Sequence, residues 1–139
     1  MNLFDSLKIS SSALGAERIR MNVISSNLAN IETTRTPTGG PYRKQEVVFQ
    51  TTVPSFADRL QGAIQGVEVA KIQTSNAPPR MVYDPSHPDA NAQGYVAMPN
   101  INLVEEMTDL MTATKAYEAN VTAAQAAKRM ALKALEIGR

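Results

Sequence analysis

Few residues of this chain are of types that do chemistry, and their spacing argues against catalysis. The single histidine, His87, lies between Ser86 and Pro88 in Asp84-Pro-Ser-His-Pro-Asp89, a breaker-rich stretch that reads as an exposed loop. Glu105 and Glu106 are adjacent. On a helix, neighbours in sequence point in different directions, so these two do not make a paired acid and base. Thr38-Gly39-Gly40-Pro41-Tyr42-Arg43-Lys44 combines glycine with basic residues but lacks the spaced glycines and the Lys-Ser/Thr of a phosphate-cradling loop, and no helical pattern follows it. It reads as a flexible turn with a basic exit. There is no cysteine, hence no thiolate nucleophile, thiolate metal site or disulfide framework. The expectation is therefore no catalytic, cofactor-binding or metal-binding residue, and no enzyme. Asn27 and Asn30 stand three apart in Ser25-Ser-Asn-Leu-Ala-Asn30, on one helix face. Two readings of them stay open: they end a helix, or their amides hydrogen-bond a neighbouring chain and fix its register.

Composition narrows the class further. The 139 residues fit one domain, and a formal net charge of +1 with scattered basic residues excludes a dedicated nucleic-acid binder. No small-molecule substrate is implied. The start, Met1-Asn-Leu-Phe-Asp-Ser-Leu-Lys8, has no basic segment followed by an apolar one, so no cleavable signal peptide is expected. No apolar run approaches the ~20 residues of a membrane span. On these features alone the chain reads as a cytoplasmic protein.

The elements that must position these residues are two long helices and a turn-rich middle. Residues 3 to about 31 read as one amphipathic helix, roughly 40 Å long, capped by Asn2 and with Asp5 in its first turn, where the helix dipole favours negative charge. Gly15 weakens it by about 1 kcal/mol relative to Ala. It should end near Asn30, ahead of Thr33, Thr34 and Pro37. The second helix has Asn102 as N-cap and Glu105 three residues on, a capping-box spacing. Acidic residues come early in it (Glu105, Glu106, Asp109), basic ones late (Lys128, Arg129, Lys133), and Gly138 offers a stop. Between the helices, Val47-Val48-Phe49, Val67 and Val69 with Ile72, Met81-Val82-Tyr83 and Tyr95-Val96-Ala97 read as short strands separated by turns.

Both helices carry a long hydrophobic seam. Leu7, Leu14, Met21 and Leu28 recur every seven residues, with Ile24 and Ile31 between. Leu103, Met107, Leu110, Thr114, Tyr117, Val121, Ala124, Lys128, Ala131 and Leu135 are spaced alternately four and three, the rhythm of helices that pair. Ser10, Glu17, Thr114 and Lys128 interrupt the seams, and the alanines from Ala123 to Ala134 allow close approach. Such surfaces fit helices that pack against several neighbours. The expected fold is α+β: long N- and C-terminal helices pairing as a coiled coil, with a small β-rich subdomain between them. The segments are 1–32, 33–100 and 101–139.

Specific motifs then point to a family. Met21-Asn-Val-Ile-Ser-Ser-Asn-Leu-Ala-Asn30, Thr33-Thr-Arg-Thr36 and Gly39-Gly-Pro-Tyr-Arg-Lys44 together resemble the bacterial flagellar rod proteins, with the Gly-Gly-Pro-Tyr run pointing to a proximal-rod member. Tyr83 to Asp89 with Gly94 to Asn100 resembles the family's loop before its last helix, and Ala116-Tyr-Glu-Ala-Asn-Val-Thr122 its shared C-terminal motif. The pattern departs at Ile31-Glu32 and at Lys115, where an arginine is usual. The resemblance implies a structural subunit without cofactor. It would be exported by the flagellar type III apparatus without a cleaved signal peptide, would polymerise in the periplasm into the axial tube of the basal body, and would transmit torque. Its partners would be other copies of itself, other proximal and distal rod proteins, and the export apparatus. The helix termini are expected to be poorly ordered before assembly. The implied assembly interface is Leu7, Leu14, Met21, Ile24, Asn27, Leu28 and Asn30 with Leu103, Met107, Leu110, Tyr117, Val121 and Leu135. Two other readings are a sibling rod subunit and a cytoplasmic helical adaptor.

Overall fold

The computed structural model describes residues 3–52 and 65–137. Among these described residues two helices, α1 (Leu3–Ala29) and α2 (Leu103–Ile137), enclose four strands in sequence: β1 (Gln45–Thr51), β2 (Val67–Thr74), β3 (Arg80–Tyr83) and β4 (Tyr95–Met98). The architecture is α+β, as the periodicities predict. The four strands fall where short apolar runs are bounded by Gly, Pro and Asn, but they form two separate two-stranded sheets, β1–β2 and β3–β4. The Asn2 cap and the Gly138 stop lie outside the described residues.

The helix ends follow from local hydrogen bonding. At the end of α1 the Asn30 amide nitrogen donates to the carbonyls of Ser26 at 3.1 Å and Asn27 at 3.2 Å. The Asn30 side chain donates to Ser26 O at 2.9 Å and accepts from the Thr33 hydroxyl at 3.1 Å. These bonds satisfy carbonyls that an α-helix leaves open at its end. Asn30 thus serves as a helix terminator, one of the two readings open from sequence. At the start of α2, Asn102 Oδ1 accepts from the backbone N–H of Val104 at 3.0 Å and of Glu105 at 3.5 Å, the cap expected there.

The two helices lie antiparallel along each other. Asn27 meets Glu106, Arg20 approaches Asp109, and Thr114 donates to Met21 Sδ at 3.7 Å. The buried residues are mostly small or medium: Ala16, Val23 and Ile24 from α1, Ala113 and Ala127 from α2, with Ser10, Asn27 and Glu106 among them. The buried line of α2 is therefore Glu106, Ala113 and Ala127, flanked by half-buried Leu110, Tyr117, Ala124 and Ala131. Relative to the expected seam, the 110/117/124/131 column is kept. The 107/114/121/128 column gives way to 106/113/127, a rotation of about half the step between successive residues. The reason is steric: alanines at 16, 113 and 127 let the backbones approach closely, which large side chains at Leu103 or Met107 would prevent.

Counting back from Asn27, α1 runs out opposite about residue 130 of α2, so the last turns of α2 extend past their partner. Within this chain the two helices pair along most of α1.

The β1–β2 sheet lies on α1. β1 and β2 are antiparallel, from Gln45 opposite Thr74 to Thr51 opposite Val67, with a bulge between Val48 and Phe49 that leaves Ala70 unmatched. The start of β2 is tied down by Ser12, whose hydroxyl accepts from Val67 N–H at 3.1 Å and donates to Ile9 O at 2.8 Å. A Cβ on Gly66 would stand 2.7 Å from that hydroxyl, so any larger residue would push the hydroxyl out of this position. β3 and β4 pair from Arg80–Met98 to Tyr83–Tyr95. Val96 points inward and is fully buried; Tyr83 and Tyr95 stack edge-to-face at 5.3 Å on the outside.

Candidate assembly surface and its anchoring node

Three elements converge on Asn27, which is 1% exposed. Its Nδ2 donates to Gln45 O at 2.9 Å and to Glu106 Oε2 at 3.0 Å. Its Oδ1 accepts from Gln45 N–H at 2.9 Å and from the Tyr42 hydroxyl at 3.1 Å. One side-chain amide thereby pairs with both backbone groups of Gln45, as a neighbouring strand would, and holds the first residue of β1 against α1. The Tyr42 hydroxyl also lies 3.5 Å from Ser26 Oγ. The family resemblance implies a place for Asn27 in the assembly interface; within this chain its amide bonds to Gln45, Tyr42 and Glu106.

Glu106 completes the node. It is equally buried, at 1% exposed, and its Oε1 receives the Lys44 ammonium at 2.8 Å. Burial by itself would lower the Lys44 pKa. The hydrogen bond and charge of Glu106, with Glu105 and Glu46 behind it, outweigh that and hold the ammonium above the ordinary lysine value. Glu105 is exposed while Glu106 is buried, so the adjacent pair diverges as a helix requires. Arg20 adds a second tie. Its guanidinium is 3.9 Å from Asp109, 4.0 Å from Glu17, and 6.0 Å from the centre of the Phe49 ring, joining α1, α2 and β1.

Sequence reasoning found Asn27 but missed Lys44 and Glu106. The available signal was a 4-3 rhythm through Glu106, Leu110, Ala113 and Tyr117, which is as regular as the one through Met107.

The other predicted interface residues divide by exposure. Ile24 is buried; Leu7, Leu14, Met21, Leu28, Leu110, Tyr117 and Val121 are half-buried along the flanks of the helix pair. Leu103, Met107 and Leu135 face outward. Around them α2 carries two exposed apolar patches. One lies at its start, with Leu103, Val104, Met107 and Met111, beside a depression lined by Ile31, Arg80 and Ile101. The other surrounds its last turns, with Met130 and Ile137 on one side of the helix and Leu132 and Leu135 on the opposite side, Ile137 being 85% exposed. Among the described residues no group of acidic, histidine or cysteine side chains could hold a metal ion, and no helix is long and apolar enough to cross a membrane.

A second link joins the loops. Asp89 accepts from the Thr34 hydroxyl at 2.8 Å and from Arg35 at 2.6 Å, while its own N–H donates to His87 Nδ1 at 3.1 Å. His87 thus serves as an acceptor inside a loop.

Comparison with known proteins agrees with this arrangement. Residues 7–35, most of α1 and its exit, match the family model described as flagella basal body rod protein. Residues 92–137, which hold β4 and α2, match the one described as flagellar basal body rod FlgEFG protein C-terminal. Flagellar basal-body rod protein FlgC of Bacillus subtilis is 47% identical, with all of both chains covered. That of Borreliella burgdorferi is 46% identical over 99% of this chain and 98% of its own. That of Escherichia coli O6:H1 is 44% identical over 99% and 97%. Similarity of this strength along the whole length leaves one conclusion: the chain belongs to the FlgC family of flagellar basal-body rod proteins.

Proposed function

We propose that this chain is a non-enzymatic structural subunit of the flagellar proximal rod, exported by the flagellar type III apparatus without a cleaved signal peptide. In the periplasm it polymerises, with other copies of itself and with other rod proteins, into the axial tube that transmits torque. The observation that carries this reading is the apolar surface left exposed at both ends of α2, in a chain whose relatives are named as rod proteins over their full length. Leu103, Val104, Met107 and Met111 are each at least half exposed, as are Leu132, Leu135 and Ile137. Burying a large apolar side chain contributes roughly 1.5–3 kcal/mol, and patches of this kind mark surfaces that other molecules cover.

In this reading the segments 1–32 and 101–139 pair as a coiled coil in the tube wall, and 33–100 lies outside it. Leu103, Met107 and Leu135 meet neighbouring subunits directly. Leu7, Leu14, Met21, Leu28, Leu110, Tyr117 and Val121 sit on the flanks that adjacent helix pairs approach. Ile24 supports the wall from inside, and Asn30 shapes the exit of α1. Contacts that do not close on themselves propagate a helical assembly instead of a ring. Rigidity of the wall is the functional output.

The test is Met107→Asp. Met107 is half exposed and outside the buried seam, so the isolated subunit should melt within about 0.5 kcal/mol of the parent, as surface changes do. Cells carrying it should lose motility and yield basal bodies without a complete rod. Normal motility would contradict the proposal, and so would fractionation of the parent protein entirely with the cytosol of an export-competent strain.

A further inference from the structure

Most of the α1–α2 contact is built from residues that do not specify where along α1 the partner helix should lie. Ala16, Val23, Ala113 and Ala127 are small or smooth, and the half-buried column Leu110, Tyr117, Ala124 and Ala131 recurs every seven residues. Sliding α2 by one heptad, about 10.5 Å, would return apolar or small residues to most of these places, with Asn120 entering the place of Ala113 or of Ala127. A buried charge bars that slip most strongly. Glu106 is a carboxylate 1% exposed, and it is accepted only where Asn27 Nδ2 at 3.0 Å and Lys44 Nζ at 2.8 Å meet it. In a slipped register Glu106 would lose both partners, and Asn27 and Lys44 would face Ala113 or the turn before α2, leaving a buried amide and an ammonium without their carboxylate.

We propose that Glu106, gripped by Asn27 and Lys44, is the key that fixes the single register of α2 along α1. A polar group at one buried position of a helix pair discriminates registers because every alternative leaves it unpaired. The same node ties β1 through Gln45, so the register of the helices and the seat of the β1–β2 sheet are set together. Which side chains the helix pair presents outward follows from that register. The assignment concerns the single chain and does not rest on the proposed place in the rod.

The absence of native cysteine permits a direct test with a short thiol-bridging reagent such as dibromobimane. Cysteines at 21 and 114 report the observed register, in which Thr114 touches Met21. Pairs at 21 and 107, or at 21 and 121, report a slip of one heptad either way. The parent chain should bridge only 21–114. Lys44→Met with Glu106→Leu leaves the Asn27–Gln45 pairing intact; it should keep its helical circular dichroism while 21–107 or 21–121 bridging rises at least fivefold. Moving the carboxylate, with Glu106→Ala and Ala113→Glu, should transfer bridging from 21–114 to 21–121. Bridging confined to 21–114 in both variants would overturn the proposal, since apolar anchors such as Val96 and Ile101 would then suffice. Loss of helical structure in both would overturn it too, by assigning the node to stability alone.

Discussion

Lys44 carries more weight in this fold than a lysine on an open surface, because the carboxylate it neutralises has no access to water. Removing one partner of a buried ion pair leaves the other charge uncompensated, which costs several kcal/mol, whereas replacing both by apolar groups is often neutral. Lys44→Met alone should therefore lower the unfolding free energy by about 3 kcal/mol in urea melts, and adding Glu106→Leu should recover most of that loss. Equal destabilisation by the single and the double variant would show that the pair is not coupled. Asp89 makes the opposite kind of contact, at the surface. The Thr34 hydroxyl above all, with Arg35 and His87, holds its carboxyl below the ordinary aspartate value of 3.8. A carboxyl whose pKa is lower folded than unfolded adds stability above the unfolded value and loses it as pH falls through the folded one. The link between the 33–40 and 84–91 loops should thus persist at pH 4 and open only in stronger acid. An NMR titration of the Asp89 side chain should give a midpoint below 3.8 that moves upward in Thr34→Val. A midpoint at the ordinary value in the parent would contradict the loop link.

At the scale of elements, two glycines should respond to the same substitution with opposite signs. Gly15 lies inside α1 with no atom within 4 Å of where a Cβ would stand, so Gly15→Ala should stabilise by about 0.5–1 kcal/mol through helix propensity. Gly94 has φ of +81°, and its Cβ would fall 2.9 Å from the Tyr83 ring. Gly94→Ala should destabilise and disturb the Tyr83–Tyr95 contact; thermal melts of the two variants check both signs. The elements themselves were legible in the sequence because capping, periodicity and breakers agreed. Asn102, the 4-3 rhythm, and the apolar runs at Val47, Val67, Met81 and Tyr95 each correspond to what forms. The seam's facing was not legible. Periodicity in large residues marks a helical stripe, but the closest approach of two helices is decided by their smallest residues, and Ala16, Ala113 and Ala127 drew the contact toward themselves. Glu106 escaped notice for a related reason. A charged residue reads as solvent-facing until its partners, 79 and 62 positions away at Asn27 and Lys44, are known to converge on it.

For the whole molecule, the fold divides its apolar surface between an inner set that closes the chain on itself and an outer set that it leaves open. The inner set is modest: the buried apolar residues include three alanines beside Val23, Ile24, Val96 and Ile101. The outer set, at both ends of a helix of roughly 52 Å, is what an assembling subunit needs and a solitary one does not. Family membership implies assembly with other rod components, and in the function proposed above the exposed ends of α2 are its contact points. The most direct check is alkylation of single cysteines placed at Met107 and Met111, in a chain with no cysteine of its own. In the isolated subunit both should react with a maleimide as quickly as an exposed control such as Thr122→Cys. In purified basal bodies their rates should fall by at least tenfold. Undiminished reactivity of both positions in assembled rods would contradict the claim that neighbouring subunits cover this face.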